Sequence, residues 1–389
     1  MTTTRRSLTN AKVERIPASG IRRFFDLVSG VEGVISLGVG EPDFITPDRF
    51  REAAIKSIKD GRTKYTSNYG ILPLREAISE HTAKLRGVRY DPDKEILVTV
   101  GVSEAVDLAL RATLNDGDEV VIADPSYVAY VPGIVLAGGV AVPVPTEEKY
   151  EFRLRPEDVE AAITPRTRAI LLGFPSNPTG AVLTEADLKG IAKLAEAHDL
   201  LIYADEIYDR LVYGVEHRSI IEFPGMRDRT VYLAGFSKSY AMTGWRVGYA
   251  CAPAEVIEQM MKIHQYTVMC VPTAAQYAAL EALTNGEAEV LRMVGEYDRR
   301  RKVMLQRFND LGLHCFEPRG AFYCFPNITS TGMDDEQFAE RLLVEEKVVT
   351  VPGSAFGERG RGHVRACYAA SLEKIEEACD RIARFVGRA

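Results

Sequence analysis

Between Glu95 and Cys251, short runs rich in β-branched and aliphatic residues alternate with stretches of helical periodicity, and few folds accommodate that alternation over so long a span. Ile96–Val100, Glu119–Ala123, Val140–Val144, Ala169–Gly173, Leu201–Ala204, Thr230–Phe236 and Val247–Cys251 read as strands. The spacing predicts helices over Ser103–Leu114, Thr184–Ala197 and Glu255–His264. Thr184 with Asp187, and Ser103 with Glu104, supply the capping side chain and acid of a helix start. A parallel strand pair needs a crossover long enough to hold a helix, so these units predict an α/β fold with a largely parallel sheet. Ligands of such sheets bind beyond the carboxyl ends of the strands, and the residues that follow each run are therefore the first candidates for function.

The pattern changes after about Asn285. Residues 288–311 read as one extended charged helix, and short strands around Cys315, Phe322–Phe325, Val348–Val351 and His363–Cys367 then interleave with two helices. A chain of 389 residues exceeds what one hydrophobic core usually serves. The expected division is an N-terminal arm and small-domain segment over residues 1–45, a large α/β domain over 46–285, and a small α+β domain over 286–389.

A net charge of −7 offers no basic field for nucleic acid, and no dense Lys/Arg run suggests a membrane surface, which leaves small-molecule chemistry. The six cysteines form no CxxC pair and no zinc-type cluster with the six histidines, so no metal site is expected. Reduced thiols in a cytoplasmic protein are the expectation. The polar, basic residues 1–10 lack a following apolar core, so no signal peptide is expected, and no apolar run is long enough to span a bilayer.

Lys238 follows the run Thr230–Phe236 and so stands at the mouth of the expected crevice. A lysine in a partly desolvated pocket has its pKa lowered, and the neutral amine attacks carbonyls to form a Schiff base. That is the chemistry of pyridoxal 5′-phosphate. Each further need of this cofactor has a candidate after a strand. Asp205, which follows Leu200–Ala204, supplies a carboxylate to keep the pyridine nitrogen protonated, and reads equally as a helix N-cap. Tyr208, one helical turn on, is a donor for the phenolate oxygen or an amphipathic core tyrosine. Pro175 and Pro178 bracket Asn177 and fix where its amide is presented. The turn from Val100 through Gly101 into Val102, Ser103 and Glu104 opens a helix whose free N–H groups form an anion site, which Ser237 and Arg246 would complete. Arg365 lies in the apolar run His363–Tyr368, where it needs an anion: a substrate carboxylate, or an internal Asp or Glu.

SKSYAMTGWRVGY, SNPTG, YADEIY and HVRACYA occur here in one order, and in them the chain closely resembles the class I/II aminotransferases, the fold-type I enzymes dependent on pyridoxal phosphate. The resemblance runs from about Ser19 to the C-terminus. It implies a large domain with a mostly parallel sheet, a smaller α+β domain and a homodimer with shared active sites. It implies an imine between Lys238 and the cofactor, Asn177 shared between phenolate and substrate carboxylate, and Tyr127 stacked on the pyridine face. Tyr65 would reach the neighbouring subunit's phosphate, while Gly38 and Arg365 would meet the substrate α-carboxylate. The segment Ser19–Phe25, with Ile21 and Arg22 or Arg23, resembles the stretch that lies over the substrate side chain in prokaryotic aspartate and aromatic aminotransferases. Ser103 stands where some bacterial aspartate aminotransferases carry a lysine. The expected donors are therefore aspartate, glutamate or aromatic amino acids, with 2-oxoglutarate as acceptor. N-acyl-diaminopimelate transamination and a C–S β-lyase remain alternatives. A related type of transcription regulator would need an N-terminal DNA-binding unit, and the first forty residues show no helix-turn-helix.

Overall fold

The computed structural model describes residues 8–17 and 33–388. Its central feature is a seven-stranded sheet in the order β2-β8-β7-β6-β5-β3-β4. The strands are β2 (Ile96–Thr99), β3 (Glu119–Asp124), β4 (Val140–Pro145), β5 (Thr167–Gly173), β6 (Leu201–Asp205), β7 (Thr230–Gly235) and β8 (Gly248–Cys251). Every predicted strand of this region is present within one or two residues. The pairs among β3 to β7 are parallel, while β8 runs antiparallel to both β7 and β2. The β7–β8 connection carries no α-helix, so it cannot return the chain to the starting end as a parallel crossover would. With β8 reversed, its first residues lie at the same edge as the last residues of β2, β3, β5, β6 and β7. One edge therefore gathers the candidate loops that follow these strands.

Alternation along the strands sends side chains to two cores. Val121, Ile170, Leu172, Ile202, Ala204, Tyr232 and Ala234 face one. Leu97, Val120, Ile122, Leu171, Val231, Leu233 and Ala250 face the other, beneath the helices Gly101–Thr113 and Ala254–Thr267. Burial on both faces explains why these strands read as continuous apolar runs. The helix Glu185–Ala197 starts as predicted, with a complete Thr184/Asp187 capping box. The helix expected from Ser103 starts earlier, at Gly101, with Val100 as its N-cap and no capping side chain.

A second unit packs around the helix Glu287–Asp310, close to the predicted 288–311, and the helices Asp335–Glu346 and Leu372–Val386. Here β11 (Val351–Pro352), β12 (Val364–Cys367) and β9 (Tyr323–Cys324) form a three-stranded antiparallel sheet. β1 (Ile35–Ser36) pairs in parallel with β10 (Val348–Val349), so residues before the large sheet belong to this core. The strand expected around Cys315 does not form, because its N–H is taken by the Asn309 side chain at 3.0 Å. No helix among the described residues is long and apolar enough to cross a membrane.

Candidate active site

The gathered loops enclose a cavity of about 510 Å³. Lys238, Asp205, Tyr208, Asn177, Tyr127, Ser237, Val102, Ser103, Arg246 and Arg365 all contribute to its lining. Strand ends set their positions: Asp205 is the last residue of β6, in register with Gly173 of β5 and Leu233 of β7.

Lys238 Nζ donates to the Gly40 carbonyl at 2.6 Å and lies 5.6 Å and 5.9 Å from the ring centroids of Phe322 and Tyr208. Burial lowers its pKa to about 8, so about a tenth of the amine is neutral and nucleophilic at pH 7, far more than for a free lysine. Asp205 is 6% exposed. It accepts from Tyr130 Oη at 2.8 Å and from the Ile207 N–H at 3.2 Å, and burial still lifts its pKa to about 6. The N-cap alternative is excluded, since no α-helix follows β6 before β7. Among the described residues no cation forms an ion pair with this carboxylate, Lys238 acting on it only from a distance, and a protonated ring nitrogen would supply one.

Arg365 is 2% exposed, yet no Asp or Glu among the described residues forms an ion pair with it. Its Nη1 donates to Asn177 Oδ1 at 2.8 Å and its Nη2 to the Gly38 carbonyl at 2.6 Å, while Nε is buried without a partner. The rings of Tyr323 and Phe356 lie 4.5 Å and 4.8 Å from its guanidinium carbon. A buried guanidinium held only by neutral groups and rings is poised for an exogenous anion. The internal salt bridge left open by the sequence is absent among the described residues.

At the opposite wall, Gly101 adopts φ +73, and a Cβ there would lie 2.6 Å from Arg246 Nη2. The first N–H groups of the helix Gly101–Thr113 have no intrahelical acceptors, and Arg246 adds a cation beside them. Ala241 and Arg246, both in the loop that carries Lys238, hold left-handed backbone at φ 52 and φ 55, a conformation found mainly where the surroundings enforce it.

Residues 32–382 match the family model described as aminotransferase class I and II. The chain belongs to that family. It is 46% identical over 378 residues to the aromatic-amino-acid aminotransferase 2 of Thermococcus litoralis, a match spanning 96% of this chain and 97% of the relative. The aspartate aminotransferase of Pyrococcus abyssi matches with the same identity and coverage. A crystal structure titled Pyrococcus protein-A1 superposes with a TM-score of 0.95 at 46% identity, covering 97% of this chain and 98% of that one. The aminotransferase thus has the fold-type I architecture, and its family depends on pyridoxal phosphate.

The residues present in the aminotransferase fit that cofactor on three structural counts: a buried carboxylate with no ion-pair partner among the described residues, an open helix N-terminus beside Arg246, and a buried amine of lowered pKa in the same cavity. Three expected residues stand apart from the lining. Gly38 contributes through its carbonyl on Arg365. Glu104 turns its carboxylate to the Val100 N–H and to His264 Nδ1, leaving only its backbone N–H toward the anion end. Tyr65 is 81% exposed on the surface. Ile21, Arg22 and Arg23 lie outside the described residues. Two residues missed by the sequence reading line the cavity: Tyr130, bonded to Asp205, and Tyr323, whose hydroxyl meets Tyr208 Oη at 2.8 Å. The only signal for Tyr130 was its place one turn after Tyr127, against whose ring it packs edge-on at 5.5 Å.

Proposed function

We propose that this aminotransferase moves an amino group from aspartate, glutamate or an aromatic L-amino acid to 2-oxoglutarate, with pyridoxal phosphate held by Lys238. The observation that carries the reading is Arg365, buried without a carboxylate in the same cavity as a lysine titrating at about 8. When bound, pyridoxal phosphate supplies a carbonyl that condenses with amines and a ring that draws electron density from the substrate Cα. Asp205 would hold the positive charge on the ring nitrogen, and Tyr208 and Asn177 would donate to the ring oxygen. Val102, Ser103 and Glu104 through their N–H groups, with Ser237 and Arg246, would hold the phosphate, and Tyr127 would pack against the ring. Arg365, Asn177 and the Gly38 backbone orient the α-carboxylate so that the Cα proton faces Lys238 Nζ. The neutral amine of Lys238 would attach the cofactor, and the same amine, once freed, would be the base that takes this proton.

Exposure of Tyr65 outside the cavity supports a homodimer in which it reaches the partner's phosphate. For the donor, the cations in the described lining are Lys238, Arg246 and Arg365, all engaged at the cofactor or the α-carboxylate. Selection of a side-chain carboxylate then falls to Arg22 or Arg23, and Ser103 adds only a hydroxyl. A pocket serving an anion and a ring separates the two donor types by a few kcal/mol at most. The relatives named for aromatic amino acids and for aspartate are equally similar to this chain, which supports the dual class. A Bacillus subtilis relative, 42% identical over 379 residues and covering 97% of this chain, is named for N-acetyl-LL-diaminopimelate and keeps that donor as the second reading. Steady-state kinetics with aspartate, tyrosine, phenylalanine, alanine and N-acetyl-diaminopimelate against 2-oxoglutarate decides between them. Exclusive use of alanine or the acylated donor would reject the dual class.

A further inference from the structure

We propose that Glu104 and His264 are positioning residues for the phosphate-binding turn; the inference rests on the reading of that turn as the anchor of the cofactor's phosphate. A helix that must grip an anion has two requirements in conflict. Its first turn needs capping, yet a Ser, Thr or Asp at the N-cap would occupy the N2 and N3 N–H groups with its own oxygen. In this chain the N-cap is Val100, which cannot do so, and Val102 and Ser103 line the cavity with those N–H groups open.

Glu104 supplies the missing restraint from behind. One carboxylate oxygen accepts the Val100 N–H, a bond that reaches back from the fourth helical residue to the N-cap backbone, and the other accepts His264 Nδ1–H at 2.9 Å. A first-turn carboxylate left free to face the cavity would repel a phosphate dianion. His264 fixes it on the far side, where the Glu104 side chain is only 12% exposed and that of His264 is fully buried. His264 stands in the last turn of the helix Ala254–Thr267, whose carbonyl end favours a donor or cation. Among the described residues its Nε2 has no partner, and Glu104 makes the one hydrogen bond of the ring. On the other side of the turn, Gly248 approaches so closely that a Cβ there would meet the Gly101 and Val102 backbone. The turn is thereby clamped between β8 and the Glu104–His264 pair, with Arg246 beside it.

The test compares pyridoxal phosphate with pyridoxal, which lacks the phosphate, on full-length protein freed of cofactor, by fluorescence of the single tryptophan, Trp245. The parent must bind the phosphate form more tightly, and Arg246→Ala must erase part of that preference; without these two results the reading of the turn itself fails. Given them, Glu104→Ala should weaken pyridoxal phosphate by about 10- to 100-fold and pyridoxal by less than about 3-fold. Glu104→Gln, which can still accept the Val100 N–H, should restore affinity to within about 3-fold of the parent. His264→Leu should reproduce the selective loss, and His264→Asn, whose amide can donate in place of Nδ1, should not. Equal losses for both ligands, or no loss, would overturn the proposal. If Glu104→Ala does not fold, the two His264 variants decide by the same criteria, and failure of those to fold as well would assign the pair to the core rather than to the cofactor.

Discussion

Asp205 is placed where it costs the cofactor-free protein stability, and the cost can be measured. Its carboxyl group titrates near 3.8 when free and at about 6 in the fold, chiefly because burial disfavours the charge more than the Tyr130 and Ile207 bonds favour it. That difference corresponds to about 3 kcal/mol. Between the two values the folded protein retains a proton that the unfolded chain has lost, so stability falls as pH rises through this window and levels off above about 6. Asp205→Asn removes the charge and keeps an oxygen for Tyr130. The variant should match the parent at about pH 3.5 and exceed it by up to about 3 kcal/mol at about pH 7.5. Urea unfolding at fixed protein concentration, on protein freed of cofactor, gives both curves. In the loaded enzyme the ring nitrogen supplies the missing cation, so the advantage should vanish or reverse, and kcat should fall by about 100-fold or more. A variant no more stable at neutral pH, or equally stabilised at every pH, would refute the argument, because the native charge would then already be compensated.

Arg365→Ala should lower kcat/KM for every amino acid donor by roughly 30- to several thousand-fold, the effect of truncating one partner of a buried charge pair at about 2–5 kcal/mol. An amine without a carboxylate should be nearly indifferent to that change, and equal losses would make Arg365 structural. Borohydride should trap the cofactor on the Lys238 peptide, Lys238→Ala should abolish the adduct, and a label on another lysine in mass spectra would reject the assigned nucleophile. Tyr65→Phe should speed loss of cofactor on dialysis while leaving borohydride trapping at Lys238 intact. A monomer fully active at high dilution would refute a shared site.

Lys238, Asp205, Asn177 and the Val100–Gly101 turn were legible because each follows a run apolar enough to be a buried strand, and a parallel sheet brings strand ends together whatever their separation in sequence. Direction was less legible. β8 reads as one more strand, and only the absence of an α-helix between residues 235 and 248 betrays its reversal. The start at Gly101 was missed for a related reason: Ser103 looks like a good cap, but the turn is set by a left-handed glycine and by a glutamate one turn later, whose partner His264 lies 160 residues away. Tyr130 and Tyr323 escaped notice because local pattern does not separate a core tyrosine from one whose hydroxyl meets another group of the cavity lining. Cys315 failed as a strand because one side chain, Asn309, took its N–H. For Glu104, Tyr130 and Tyr323 the missing information is a contact between distant segments, and these contacts bear on the titration of Asp205, the hydrogen bonding of Tyr208 and the open face of the turn at Gly101. The sequence therefore identifies which groups line the cavity more readily than which groups tune them, and the tuning groups are where substitutions should shift affinity and pH profile without removing the chemistry.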